Sequence, residues 1–343
     1  MSKLSEDPRI DPRIKAVMGM MNLPPAQNVD SREQILQAAS SESAQQARAG
    51  ITQFLNLCDT EEIAPSEGLS INVREFTSEP DGNTVKINFI RPVGDDLKPC
   101  VYYIHGGGMQ TMSCFDGNYR AWGRIIAQQG VAVAMVDFRN AVNPSSAPEV
   151  EPFPAGLNDC VSGLKWLVNN SEELGIDASR IVVSGESGGG NLTLATGLKL
   201  QKEGALHLVK GLYALCPYIA GSWPHPDCPS SVENNGILLD LHSNAGAMAY
   251  GIEAYEQANP LAWPLFATES DVEGFPPTVI SVNECDPLRD EGINFYRLLL
   301  RSGVNARCRQ VMGTIHGTEI FPMCCPDISR DTARDLAAFC ALP

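Results

Sequence analysis

The sequence predicts an α/β protein built on a mostly parallel sheet. Three observations carry this expectation. Short β-branched runs, such as Ile181-Val182-Val183 and Val131 to Val136, are followed by stretches with helical spacing of apolar residues. That alternation recurs along most of the chain, which calls for parallel strands joined by right-handed crossovers. The third is a glycine-rich turn, Gly185-Glu186-Ser187-Gly188-Gly189, between a strand and a helix.

Composition bounds the rest. With 343 residues, 43% of them hydrophobic, the chain can build one large domain or two ordinary ones. No apolar run reaches the ~18 residues of a membrane span. Met1 to Asp7 carries acid where a signal peptide carries base, so secretion is not indicated. The cysteines number 11, are scattered and form no CxxC pair, which suggests neither a zinc site nor a disulfide framework. Reduced thiols fit a cytoplasmic protein. The net charge of −16 repels nucleic acid and anionic membranes. No nucleic-acid or membrane partner, no metal and no cofactor is expected; a homodimer is left open.

The elements follow in order. Residues 1–65 read as helical and amphipathic. Ile14, Val17, Met18, Met20 and Met21 cluster first, and Ser31-Arg32-Glu33-Gln34 opens a helix running through Ala47. From Leu69 to Phe76 and from Thr84 to Ile90 the period becomes two, around a turn at Pro80 to Asn83: an antiparallel pair. Cys100 to Ile104 is a continuous apolar run, hence a central strand, and leads into His105-Gly106-Gly107-Gly108-Met109. A helix over 115–129 and a strand over 131–136 follow. Prolines 144, 148, 152 and 154 keep the next passage irregular. A helix over 155–169, the strand over 180–184 and a helix over 191–203 bracket the glycine-rich turn. A strand over 210–215 comes next.

After Cys216 the alternation stops. Residues 217–264 read as an insertion, proline-rich at first and helical over His242 to Gln257. The strands resume over 277–282 and 306–311, separated by a helix over 290–301, and a last helix closes the chain. The expected organisation is therefore an N-terminal helical segment (1–65), a catalytic domain (66–216 and 265–343) and an insertion (217–264). The first and last of these would form a cap, because apolar residues such as Met18, Met20, Met21, Trp223 and Trp263 need partners.

The chemistry lies at the carboxyl ends of the strands, where open α/β sheets gather ligand sites. Gly185 to Gly189 fits G-x-S-x-G on a strand-to-helix turn, which lifts a serine hydroxyl above the sheet. The N–H of Gly188 would start the helix, where negative charge is stabilised. The glycines after His105 let the N–H groups of Gly107 and Gly108 turn towards the same anion. A serine needs a base, and the base an orienting acid. His316 is the one histidine beyond the last acid-bearing strand. Asp286 ends that strand, with Asp290 and Glu284 as competitors. His105 reads as structural.

Together, His105-Gly106-Gly107-Gly108, Gly185 to Asn191, Asp286-Pro287-Leu288 and His316-Gly317 resemble the hormone-sensitive-lipase-like esterases (bacterial family IV) of the α/β-hydrolase superfamily, over about residues 70–340. The resemblance implies an α/β-hydrolase fold with an eight-stranded sheet and a helical cap. It implies a serine carboxylesterase without cofactor, with catalytic Ser187, Asp286 and His316 and an oxyanion hole from Gly107, Gly108 and Gly188. The expected substrates are short- to medium-chain esters, a lactone or a bulky natural-product ester. An amidase or lactonase would use the same triad. A ligand receptor on this fold is the rival from another class, and His316 argues against it. Glu186-Ser187-Gly188 stands where many members have Asp-Ser-Ala.

Overall fold

The computed structural model describes residues 2–21 and 25–341. Strands β1 (Leu69–Thr77), β2 (Thr84–Pro92), β3 (Lys98–Ile104), β4 (Ala132–Val136), β5 (Ile176–Glu186), β6 (Gly211–Leu215), β7 (Thr278–Asn283) and β8 (Ala306–Val311) form one sheet. Their spatial order is β1-β2-β4-β3-β5-β6-β7-β8. β2 runs antiparallel to both β1 and β4, and the remaining neighbours are parallel. The chain is thus an eight-stranded, mostly parallel α/β-hydrolase sheet.

The sequence shows why the centre is parallel. β4, β6 and β7 are buried at every position, as strands must be when helices cover both faces, and β4 and β6 are apolar throughout but for the Tyr213 hydroxyl. Alternate side chains divide the core. Tyr102, Ile104, Val183 and Ala214 face helices Ala155–Asn169 and Gly188–Lys202; Val101, Tyr103, Val182 and Tyr213 face helices Gly117–Ala127 and Pro326–Ala341. β1 lies at an edge and has one buried residue, Phe76; polar groups and the apolar Ile71 and Val73 are exposed along it.

Two helices predicted as continuous are broken, each for a local reason. The stretch from Ser31 forms helices Arg32–Ala39 and Glu42–Leu55. Ser40 Oγ turns back to Gln37 O, 2.8 Å, and Ser41 Oγ accepts from Ala44 N, 3.3 Å, starting a new helix. Residues 242–257 form Ala245–Tyr250 and Ile252–Glu256. Here the Tyr250 carbonyl accepts from Phe153 N at 2.6 Å, an external donor occupying it at the break.

The first twenty residues bury a separate apolar cluster. Leu4, Ile10, Ile14 and Met18 pack with Ile237, Cys285 and Ile315. Met21 is half-buried, whereas Met20 is 94% exposed and has no such partner. Trp223 and Trp263 are buried among Tyr218 and Tyr250. Among the described residues no helix is long and apolar enough to cross a membrane. The cysteines are free, and all but the half-buried Cys308 are buried.

Candidate active site

Ser187 leaves β5 at φ 57° and ψ −119°. A residue with a side chain is strained there, by about 1–3 kcal/mol, and persists only when its surroundings fix it. They do: its N–H donates to Leu215 O at 2.9 Å, and its carbonyl accepts from Asn191 N at 2.9 Å and Tyr218 N at 3.0 Å. β6, the following helix and Tyr218, just beyond β6, thereby share in holding the turn.

The glycine loop after β3 folds over this turn. Gly107 has φ +83°, and a Cβ there would stand 2.1 Å from Thr111 O. Gly188 is closer still to the loop: a Cβ would meet Met109 N at 2.6 Å and Gly108 N at 2.7 Å. The alanine common at this position in the resembled family does not fit here. Among the described residues, no internal hydrogen bond engages the N–H of Gly107, Gly108 or Gly188.

His316 follows β8 and Asp286 follows β7. His316 Nδ1 lies 2.8 Å from Asp286 Oδ2, while Asp286 Oδ1 accepts from Leu288 N at 2.9 Å. Burial pulls the imidazole down, but the Asp286 carboxylate outweighs it and holds His316 well above the ordinary histidine value. The competing acids are occupied elsewhere. Asp290 accepts from Ser230 N at 2.7 Å and Arg289 Nε at 2.9 Å; Glu284 accepts from Gly313 N at 2.8 Å.

His105 is fully buried. Its Nδ1 meets Gly106 O at 3.1 Å, its ring stacks on Phe138 at 4.2 Å, and Nε2 stands 3.7 Å from Asp137. Burial lowers its pKa, so it is neutral and braces the loop.

Three groups escaped the sequence reading. Glu186 is buried, and its carboxylate accepts from Tyr103 Oη and Tyr119 Oη, each at 2.5 Å. Tyr119 Oη accepts in turn from Gly106 N at 2.9 Å, so Glu186 supports the glycine loop through Tyr119. Burial pushes Glu186 up to about 7. The second is Cys216. Its sulfur, an Asp286 oxygen and a His316 nitrogen lie within 4.8 Å of one another, spacing that could hold a metal ion. Burial lifts the Cys216 thiol to about 11, leaving it protonated near neutral pH. The third is Asn234, taken up below. Only the "xSx" position of Glu186 was visible in sequence; its tyrosine partners lie 83 and 67 residues away.

A cavity of about 290 Å³ opens on Ser187, His316, Gly107 and Gly108. Tyr218, Leu238, Leu239 and Leu241 wall it from the 217–264 insertion; Met112, Ile320 and Phe321 wall it from the catalytic domain. Gln110 is its one amide side chain among the described residues. Described residues of the N-terminal segment do not line this cavity; Ser2, Lys3, Leu4, Met21 and Pro25 line a neighbouring one with Leu238 and Leu239.

This arrangement defines an α/β hydrolase, and the comparisons agree. Residues 101–320 match the family described as alpha/beta hydrolase fold, to which the chain belongs. More narrowly, it is a hormone-sensitive-lipase-like carboxylic ester hydrolase. The structure of esterase Est22 is 70% identical, with TM-score 0.98, over 99% of this chain and 100% of that one. Brefeldin A esterase, a bacterial homologue of human hormone-sensitive lipase, is 35% identical with TM-score 0.85, over 98% of this chain and 95% of its own. Carboxylesterase NlhH of Mycobacterium tuberculosis is 31% identical over 274 residues, 78% of this chain and 82% of that protein. Asp137 to Ala141, Gly185 to Leu192 and Asn283 to Gly292 suggest brefeldin A esterase from sequence, but over the whole chain esterase Est22 is the more similar of the two, at 70% against 35%.

Proposed function

We propose that the protein hydrolyses short- to medium-chain carboxylic esters through Ser187, His316 and Asp286. The observation that carries this is one cavity holding a strained, elevated serine and a histidine paired with a buried carboxylate at 2.8 Å. His316 takes the proton of Ser187 as the hydroxyl attacks the ester carbonyl. The oxyanion accepts from Gly107, Gly108 and Gly188, donors preorganised because little else can bond them. Asp286 steadies the imidazolium, which protonates the departing alcohol. Water, deprotonated by His316, then releases the acid from the acyl-serine.

The apolar walls support the substrate size. A walled cavity of about 290 Å³ bounds the chain it can enclose, unlike an open groove at an oil surface. The 217–264 insertion and the N-terminal segment act as the cap, the first as wall and the second as its support. Ser187→Ala tests the mechanism: the variant should fold and lose p-nitrophenyl ester hydrolysis by several orders of magnitude. An active Ser187→Ala enzyme would overturn it. A panel of acyl chains from two to sixteen carbons should peak among the shorter members and show no rise when substrate becomes an emulsion.

A further inference from the structure

We propose that Asn234 is a positioning residue for the reaction: it clasps the loop that carries Asp286, so that the cap sets the acid of the triad. This rests on the reading of Asp286 as the orienting acid.

Asn234 follows the short helix Ser230–Glu233 of the insertion and is wholly buried. Its amide spends both hydrogens on one loop. Nδ2 donates to Asp286 O at 3.0 Å and to Glu284 O at 3.2 Å, the carbonyls on either side of Cys285. Its Oδ1 accepts from Arg9 Nη2 at 2.9 Å, and Arg9 is held by the Asp7 carboxylate. An asparagine so placed has one orientation only, because Oδ1 meets a cation and Nδ2 meets two acceptors.

The same helix holds the other end of the loop. Ser230 Oγ donates to Pro287 O at 3.0 Å, and Ser230 N donates to Asp290 Oδ2 at 2.7 Å. The carbonyls of residues 284, 286 and 287 are thus all bonded from the insertion. Beneath them Cys285 is packed against Ile10, Ile14 and Ile237. Within the loop itself, Arg289 donates to Glu284 O, 3.0 Å, and Leu288 N to the Asp286 carboxylate, 2.9 Å. Arg289 N also donates to Asp286 O at 3.2 Å, and Cys285 N and Glu284 N donate to Thr314 O and Val311 O; to these the clasp adds a tie between the Asp286 backbone and the pocket wall.

The consequence is geometric. Asp286 reaches His316 through one hydrogen bond, 2.8 Å. Tilting the Asp286 peptide shifts that carboxylate, and displacement on the order of 1 Å costs up to about 10²-fold in rate. The segment continuing from Asn234 carries Leu238 and Leu239 into the pocket wall, so wall and acid are held by one stretch of chain.

The test compares Asn234→Asp, Arg9→Gln and Asp286→Asn in the full-length protein, using p-nitrophenyl butyrate. Asn234→Asp keeps the shape and the partner for Arg9 but points an oxygen at two carbonyls. Its kcat should fall about 10- to 100-fold with KM within about twofold. In the uncharged Asn234→Ala the acid limb of kcat/KM should also move to lower pH, because a displaced Asp286 supports the His316 cation less. Cys216, Glu186 and Glu319 also face His316 and are unchanged in the variant. Arg9→Gln, which spares the Nδ2 bonds, should show the same fall in kcat, smaller. If Asn234→Asp does not fold, Asn234→Ala is measured for the fall in kcat as well. A variant with lowered Tm but wild-type kcat and pH limb overturns the inference and makes Asn234 a structural residue. Wild-type activity in Asp286→Asn would instead overturn the triad reading.

Discussion

Ser187, the proposed nucleophile, and Asp286 and His316, its proposed helpers, are held by different parts of the molecule. Ser187, Gly107, Gly108 and Gly188 belong to the ends of neighbouring central strands, and the hydrogen bonds of these two turns run to β6, to the next helix, to the core residue Tyr119 and, at one point, to Tyr218 of the insertion. Asp286 and His316 follow β7 and β8, towards the sheet edge. Their loops lean on chain from outside the sheet: Ile237 and Asn234 of the insertion, and Leu4, Ile10, Ile14 and Met18 of the N-terminus. Asp11 N even donates to Gly313 O, 2.9 Å, at the start of the His316 turn. The turn of Ser187 takes one direct bond from the insertion, Tyr218 N to Ser187 O, whereas the loops of Asp286 and His316 are packed and bonded by both the insertion and the N-terminal segment. On the proposed reading, the insertion and the N-terminal segment act on chemistry as well as on access.

The largest effect should come from breaking the contact between the Ser187 turn and the glycine loop where it is tightest. Gly188→Ala would drive a Cβ to within 2.6 Å of Met109 N, so the glycine loop must retreat. Losing one oxyanion donor costs about 10²–10³ in kcat, and the variant should show a loss of that order, with KM much less changed. Activity within about threefold of wild type would mean that the loop moves freely and that the hole is not preorganised by this contact.

Removing the outside support comes next. Deleting residues 1–20 strips Leu4, Ile10, Ile14 and Met18 from the cluster shared with Cys285 and Ile315. The truncated chain should lose kcat by about 10-fold or more and lose Tm, while a serine-directed fluorophosphonate still finds Ser187. Ester hydrolysis equal to the full chain's across the acyl panel would show that the acid and base loops stand without it.

A pH profile sharpens the same contrast. Since His316 is raised above the ordinary ~6.5 by Asp286, kcat/KM should rise with its midpoint above that value and plateau on the alkaline side. Asp286→Asn should lower both the plateau and the midpoint. Undiminished activity at about pH 4.5 would contradict His316 as the base.

The smallest effect concerns stability. Burial raises Glu186 from 4.5 to about 7 and Glu291 from 4.5 to about 8, the latter accepting from Ile219 N at 2.7 Å and Trp223 Nε1 at 2.9 Å. Folding takes up protons at both sites. The stability they add is complete below about 4.5 and is lost as pH rises through 7 and 8. Tm should be lower at pH 9 than at pH 6 by a few degrees; calorimetry showing a rise across that interval would contradict it.

What was legible in the sequence divides along the same line. The strand ends, the two glycine-rich turns and the order Ser187, Asp286, His316 were readable because each depends on neighbours within a few residues. The supports were not. Asn234 and Asp286 are separated by 52 residues, and Asn234 and Arg9 by 225, so no local pattern links them. Met20 was grouped with Met18 on hydrophobicity alone, yet helix Pro12–Met18 ends before it and leaves it in solvent. Likewise the breaks at Ser40-Ser41 and Tyr250 arise where a side chain or a distant N–H competes for a helical carbonyl.

The central claim is that Ser187 carries the acyl group, and trapping it tests this most directly. Enzyme mixed with p-nitrophenyl butyrate, quenched in acid within milliseconds and digested, should yield one acylated peptide, that containing Ser187, at a stoichiometry matching the burst of p-nitrophenol. An adduct on Cys216, or a burst with no adduct on Ser187, would contradict the account.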